Sequence, residues 1–192
     1  MKSSWDDQPG RSARGFNIVE LMVVLAIAAI MITVATPSFR GLLRGFRITS
    51  AANDLLAAVN LTRAEAIARG SRVDLVPKNA DWAKGWIIFI DKDGDQIPDD
   101  GEHIIFSHDP LPLGMEVTSN FEVANADAAK YVSYNATGHS RSNSGPQATR
   151  PGSWLLKLDG QSRKIVINFL GRARVCNPAA DSGCDDPTQS GS

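Results

Sequence analysis

Near the C-terminus, Arg172 and Arg174 follow Gly171 with one residue between them, in the run Gly-Arg-Ala-Arg. In extended backbone, residues two apart project to the same side, so two guanidinium forks are placed to grip successive phosphates. The glycine ahead of them permits a tight turn. Arg163 and Lys164 lie a few residues upstream, and Arg141 and Arg150 sit in an earlier loop-like stretch, so further cations are available to widen the patch. The competing reading is an exposed strand end whose arginines pair with Asp181, Asp185 or Asp186.

A second constellation is acidic. The segment DKDGDQIPDDGE sets oxygen-bearing side chains at its first, third, fifth, ninth and twelfth places, namely Asp91, Asp93, Asp95, Asp99 and Glu102, with the Ile97 carbonyl at the seventh. That is the spacing of a calcium loop, and Ca2+ is the one cofactor the sequence nominates. Its sixth place holds Gln96, where the sharp turn prefers glycine, and Gly94 stands two residues earlier. The flanks read as strands rather than helices, so a solvated, metal-free hairpin turn is the alternative. Cys176 and Cys184 form the third group. They fit a disulfide in an oxidising compartment, which at this separation removes about 2.5 kcal/mol of unfolded-state freedom in the loop-entropy account. Two thiols with no histidine nearby are too few for zinc.

Catalytic groupings do not emerge. His103, His108 and His139 are scattered, and neither a nucleophile elbow nor a His-x-x-x-His helix occurs, so the chain does not read as an enzyme. Trp82 and Trp86 flank a turn and read as core aromatics rather than a base-stacking platform. The formal net charge of -1 supplies no global basic field, so any phosphate binding must come from a local patch.

These groups need a scaffold, and its first part is the apolar run from Ile18 to Ala35, interrupted by one carboxylate, Glu20. At about 1.5 Å per residue this run reaches across a hydrocarbon core of roughly 30 Å. A charge in such a segment costs about 2.5–3.5 kcal/mol on insertion scales, so Glu20 calls for a partner or for access to water. Beyond Pro37, Ile48, Ala52, Leu55, Leu56, Val59, Ala66 and Ile67 recur at three- and four-residue steps, which predicts an amphipathic helix ending at Gly70. Gly41 and Gly45 lower helix propensity and predict a bend or a melted junction between the two helical halves.

After Gly70 the pattern turns to short strands. Arg72–Val76, Trp86–Ile90, His103–Ser107, Met115–Ser119, Tyr131–Tyr134, Trp154–Leu158 and Lys164–Phe169 are the candidates, with Arg172–Val175 as a continuation or bulged extension of the last. Residues 138–152 read as a long mobile connection and 177–192 as a disordered tail tied back only by Cys184. Strands spaced this way without intervening helices imply an antiparallel sheet. The expected fold is α+β, one long N-terminal transmembrane and amphipathic helix packed on an antiparallel β head.

Gly15, Phe16 and Glu20, followed by an unbroken apolar helix with Pro37 near its end, resemble the processing signal of type IV pilins and pseudopilins. LLAAVNLTRAEAIARGSRVDL, GWIIFIDKDGD and the terminal LGRARV resemble the GspH/FimT family of minor pilins in particular. The resemblance implies a lollipop fold and a leader of residues 1–15. Prepilin peptidase would cut after Gly15 and methylate Phe16, and Glu20 would neutralise the N-terminal amine of a neighbouring subunit. It implies a transmembrane half at 16–36, an amphipathic half at 37–70, a β head at 71–176 and the disulfide-looped tail beyond. It places the chain in the bacterial inner membrane with a periplasmic head, assembling with major and minor pilins. Within the FimT branch a GRxR motif binds double-stranded DNA without sequence preference for natural transformation. On that basis Gly171, Arg172, Arg174, Arg163 and Lys164 are the expected contacts. The rival expectation is a structural subunit that primes or caps a type IV pilus or a type II secretion pseudopilus.

Overall fold

The computed structural model describes residues 15, 17–121, 131–142, 145–149 and 151–185, with the side chains of 34–38, 40, 142, 145–149 and 185 excepted. Residues 1–14 of the leader, Phe16, Arg150, Asp186 and the last part of the tail therefore lie outside the described residues. Two compact units divide the chain, residues 1–41 and 42–192.

Helix α1 runs from Ile18 to Arg69. It starts at Asn17, whose carbonyl accepts from the Leu21 amide at 3.1 Å and whose Oδ1 accepts from the Val19 amide at 3.4 Å. In the first unit Ile18, Val19, Leu21, Met22 and Leu25 are exposed, as apolar side chains are when nothing in their own chain covers them. Among the described residues no helix is long and apolar enough to cross a membrane. The melted junction expected at Gly41 and Gly45 is not found: both residues lie within α1, where Leu42, Leu43 and the stripe beyond sustain the helical pattern past two weak positions.

In the second unit, Ile48, Ala51, Ala52, Leu55, Ala58, Val59, Thr62 and Ala66 are buried along one face of α1. Their steps of three and four residues are those of the predicted stripe, although Leu56 is half-buried and Ile67 is exposed. Thr62 tolerates burial because its hydroxyl donates to the Ala58 carbonyl at 2.7 Å. The helix ends where Gly70 takes a positive φ of 63° and its amide donates to the Ile67 carbonyl, while the Ser71 amide reaches back to Ala66. This pair of bonds satisfies carbonyls that the last turn leaves open.

The strands are β1 (Val73–Pro77), β2 (Trp86–Ile90), β3 (His103–Ser107), β4 (Glu116–Ser119), β5 (Val132–Tyr134), β6 (Ser140–Ser142), β7 (Gly145–Thr149), β8 (Gly152–Leu158), β9 (Gln161–Ile167) and β10 (Ala173–Cys176). They form a six-stranded sheet in the order β3-β2-β1-β5-β6-β7 and a four-stranded sheet in the order β10-β9-β8-β4. Every pairing is antiparallel, as expected.

Two sequence expectations are corrected. The stretch read as a mobile loop contains β6 and β7, which its Ser, Asn and Gly content concealed; their cross-strand ladder, not apolar alternation, holds them. The run read as a continuation of β9 is instead a separate strand that turns back, so Ala173 pairs with Ile167 and Cys176 with Lys164.

One core joins α1 to both sheets. Trp86, Ile88, Leu75 and Tyr134 from the larger sheet meet Trp154, Leu156, Ile165 and Ile167 from the smaller one, with Ile48, Leu55 and Val59 from the helix. Trp82 stands edge-on to Trp154 at 5.1 Å between ring centroids, and Phe121 meets the same indole at 4.5 Å. Both Trp82 and Trp86 are buried, so their rings are core groups, as read from the sequence.

Candidate nucleic-acid interface

The Gly171-Arg172-Ala173-Arg174 run begins in the turn between β9 and β10. Asn168 organises that turn: its amide donates to the Arg172 carbonyl at 3.0 Å, and its Oδ1 accepts from the Leu170 and Arg172 amides at 3.0 and 2.9 Å. Gly171 closes it with its own amide on the Asn168 carbonyl at 2.9 Å and a φ of 74°. A side chain here would meet fixed atoms as well as an unfavourable conformation. A Cβ would lie 2.9 Å from both the Gly138 carbonyl oxygen and Tyr134 Cε1.

Two side chains from elsewhere peg the turn to the core. The buried Tyr134 hydroxyl donates to the Gly171 carbonyl at 2.8 Å, and Arg63 Nη1 on α1 donates to the same oxygen at 3.3 Å. Burial pushes the Tyr134 pKa up, so the phenol stays protonated as a donor. Sequence reasoning missed both pegs. No local pattern announces contacts to Gly171 from residues 37 and 108 positions away.

Register decides which cations share a face. Alternation along β10 puts Arg174 and Cys176 on one side, and their cross-strand partners bring Val166 and Lys164 to it, while Arg172 precedes the strand in the turn. Lys164 also borders an open depression of about 240 Å³ lined by Thr118, Ser119, Asn120, Ser153 and Leu155. Arg163 faces the opposite way, paired in register with the buried Leu156, and its Nη1 donates to the Ser162 carbonyl at 2.8 Å. The structure thus puts Lys164 on the Arg174 face of the sheet and Arg163 on the opposite one. Arg141 lies on β6 in the other sheet.

The two arginines of the motif are not equivalent. Arg172 is exposed, and no side-chain partner for it occurs among the described residues. Arg174 is engaged: Nη2 donates to the Gly183 carbonyl, and Nη1 stands 3.7 Å from Asp181 Oδ2. These partners belong to a loop pinned by the Cys176–Cys184 disulfide, with 5.6 Å between its Cα atoms. The loop is not disordered over its described length. The Ala180 and Asp181 amides bond the Asn177 carbonyl, Ser182–Asp185 form a 3-10 turn, and Cys184 packs with Val166 and Cys176.

The acidic segment lies beyond β2. Oxygens of Asp91, Asp93 and Asp95 fall within 4.8 Å of one another, while Asp99 and Glu102 are not part of that grouping. Gln96 itself adopts a positive φ of 66°, so the residue that departs from the calcium-loop pattern still makes the turn. Glu102 Oε1 instead accepts from the Lys92 amide at 2.8 Å. Asp91 is held by protein groups: Oδ1 accepts from the Gly94 amide at 2.6 Å, and Oδ2 lies 3.2 Å from Arg72 Nη2. Arg72 simultaneously forks onto buried Asp74, at 2.8 and 2.6 Å. Burial raises the Asp74 pKa to about 6, against the lowering effect of that guanidinium. For Arg72, burial opposes the charge, but the hydrogen bond and charge of Asp74, with Asp91, more than offset it and raise its pKa.

Comparison with known proteins fits this architecture. The family described as Type II transport protein GspH matches residues 51–171. The chain belongs to the GspH family. Pilin-like protein PilA1 of Thermus thermophilus is 29% identical over 162 residues, covering 84% of this chain and 97% of that protein. The type IV minor pilin FimU of Pseudomonas aeruginosa has a similar fold, with a TM-score of 0.53, 19% identity and coverage of 71% of this chain and 94% of that one. The minor pseudopilin EpsH from the type II secretion system of Vibrio cholerae follows at a TM-score of 0.50 and 13% identity, over 73% of this chain and 99% of that one. This GspH-family chain is thus a minor pilin or pseudopilin of the type IV pilus or type II secretion class, with the fold of structural pilins.

Proposed function

We propose that this GspH-family protein is a FimT-like minor type IV pilin that binds extracellular double-stranded DNA through the Gly171–Arg174 turn. The observation that carries the reading is Arg172: an exposed guanidinium on a turn fixed by Gly171, Asn168, Tyr134 and Arg63, with Lys164 on the Arg174 face of the sheet. Such a site reads phosphates and not base edges, so binding is sequence-tolerant, with each contact contributing about -0.9 to the log–log salt slope. Titration of the full chain in non-ionic detergent with labelled duplexes of two unrelated sequences, each at two salt concentrations, tests it. Equal, salt-sensitive binding is expected; no binding at low salt removes the proposal.

A second reading rests on Arg174. Its existing bonds to Gly183 and Asp181 suit a structural edge, and in that case the subunit primes or caps a pilus or a secretion pseudopilus without touching DNA.

Either role uses the N-terminal device that the sequence proposes: cleavage after Gly15, methylation of Phe16, insertion of the apolar half of α1 in the inner membrane, and pairing of Glu20 with a neighbour's amine. A buried carboxylate and a buried ammonium are each costly alone and far less so together. Mass spectrometry of the mature protein should find methylated Phe16 at the N-terminus, and any other start contradicts the assignment. Calcium belongs to the same set of proposals. Asp91, Asp93 and Asp95 would hold it, with Arg72 as a competing cation at Asp91. Millimolar calcium should raise the melting temperature relative to chelator, whereas superimposable curves would exclude it.

A further inference from the structure

The loop that engages Arg174 is acidic and covers part of the face on which a phosphate backbone would lie. Cys184 packs over Val166, the cross-strand partner of Arg174, and the disulfide to Cys176 holds it there. The Gly183 carbonyl and the Asp181 carboxylate then stand at two nitrogens of the guanidinium that a phosphate would use. Within the loop, Asp181 Oδ1 accepts from the Gly183 amide at 2.9 Å, and its carbonyl accepts from the Cys184 amide at 3.1 Å. One aspartate therefore both shapes the turn and faces the arginine.

The geometry points to an acidic latch: the disulfide-closed loop from Asn177 to Cys184 occupies the anion-binding face of Arg174, and Asp181 is the internal competitor that a DNA phosphate must displace. This inference rests on the DNA-binding reading above. In the latched arrangement Arg172 makes the first contact, and Arg174 joins only when phosphate replaces the carboxylate. The pair is only partly shielded, with the Arg174 and Asp181 side chains 24% and 44% exposed, so displacement is inexpensive. The latch thus sets affinity and excludes weak single anions without blocking a polyanion that is already held at Arg172.

Asp181→Asn separates charge from shape, because the amide oxygen still accepts from Gly183 while the Asp181 charge is gone. In the full chain in detergent, with a labelled duplex across a salt series, this variant should bind about two- to fivefold more tightly than the wild type. Its salt slope should steepen by up to about 0.9, the value of one added phosphate contact. In an Arg174→Gln background the same change should have no such effect, and that double-mutant cycle isolates the pair from a general loss of negative charge. Wild-type binding with an unaltered Asp181→Asn affinity, or with an equal gain in the Arg174→Gln background, overturns the latch and leaves the DNA site standing. Absence of binding by both wild type and Asp181→Asn overturns the two together. Binding by Asp181→Asn alone removes the DNA site of the wild-type chain and, with it, a latch that opens for DNA.

Discussion

Replacing Arg172 and Arg174 together by glutamine should lower duplex affinity by about 10- to 100-fold at low salt and reduce the log–log salt slope by up to roughly 1.8, the value of two phosphate contacts. Hydrogen bonds to charged groups contribute about 1.5–3 kcal/mol each, and the lower part of that range applies to contacts open to water. Arg172 is expected to carry more of the loss, because Arg174 must first leave Asp181 and Gly183. Glutamine keeps the aliphatic stem and some donors, so the effect reads charge and not packing. The melting temperature should hardly move, since Arg172 is exposed and the groups released by Arg174 can meet water. Unchanged affinity and slope in this variant would place any DNA contact elsewhere on the molecule.

The second large effect is at Gly171. Gly171→Val should destabilise the folded domain by about 3 kcal/mol and lower its melting temperature by roughly 6–12 °C. A β-branched residue is strongly disfavoured at a φ of 74°. Its Cβ would also press on the Gly138 carbonyl oxygen and the Tyr134 ring, each 2.9 Å away, and neither is a flexible side-chain end. Relief by moving the turn would cost the bond from the Tyr134 hydroxyl, which is buried and would lose its acceptor. Thermal unfolding of the full chain measures this directly, and a wild-type melting temperature would mean that the turn does not pack as described. In the proposed DNA site, Gly171 therefore acts by shape. It sets the turn from which Arg172 projects and brings no side chain of its own.

Much of this was legible because it is periodic. The α1 stripe from Ile48 to Ala66 and the alternation of Trp154, Leu156 and Leu158 follow from burial of one face. The strands Trp86–Ile90 and His103–Ser107 are apolar runs between turns and fall where they were expected. Asp159-Gly160 lies between β8 and β9, an Asp-Gly pair of the kind that tight hairpins favour. Where apolar periodicity was absent the reading failed. Strands β6 and β7 are polar, and their existence depends on pairing with β5 and each other. Helix α1 keeps Gly41 and Gly45 because neighbouring residues outweigh about 1 kcal/mol at each.

The candidate site was legible in part for a related reason. Sequence adjacency suggested that Arg163 and Lys164 both join the arginine pair, but neighbours on a strand face opposite ways, and only register with β10 shows that Lys164 is the one on the Arg174 face. The Arg63 and Tyr134 pegs on Gly171 are tertiary contacts with no local signature. The pairing of Arg174 with Asp181 was one of the alternatives visible in the charges, and it is realised for that arginine.

Transformation frequency and pilus number, measured together in the native strain carrying Arg172→Gln with Arg174→Gln, test the central claim most directly. The account predicts that DNA uptake falls while pili are made in normal number. Wild-type uptake, or a loss of uptake that only mirrors a loss of pili, would contradict it and leave the turn as a subunit contact.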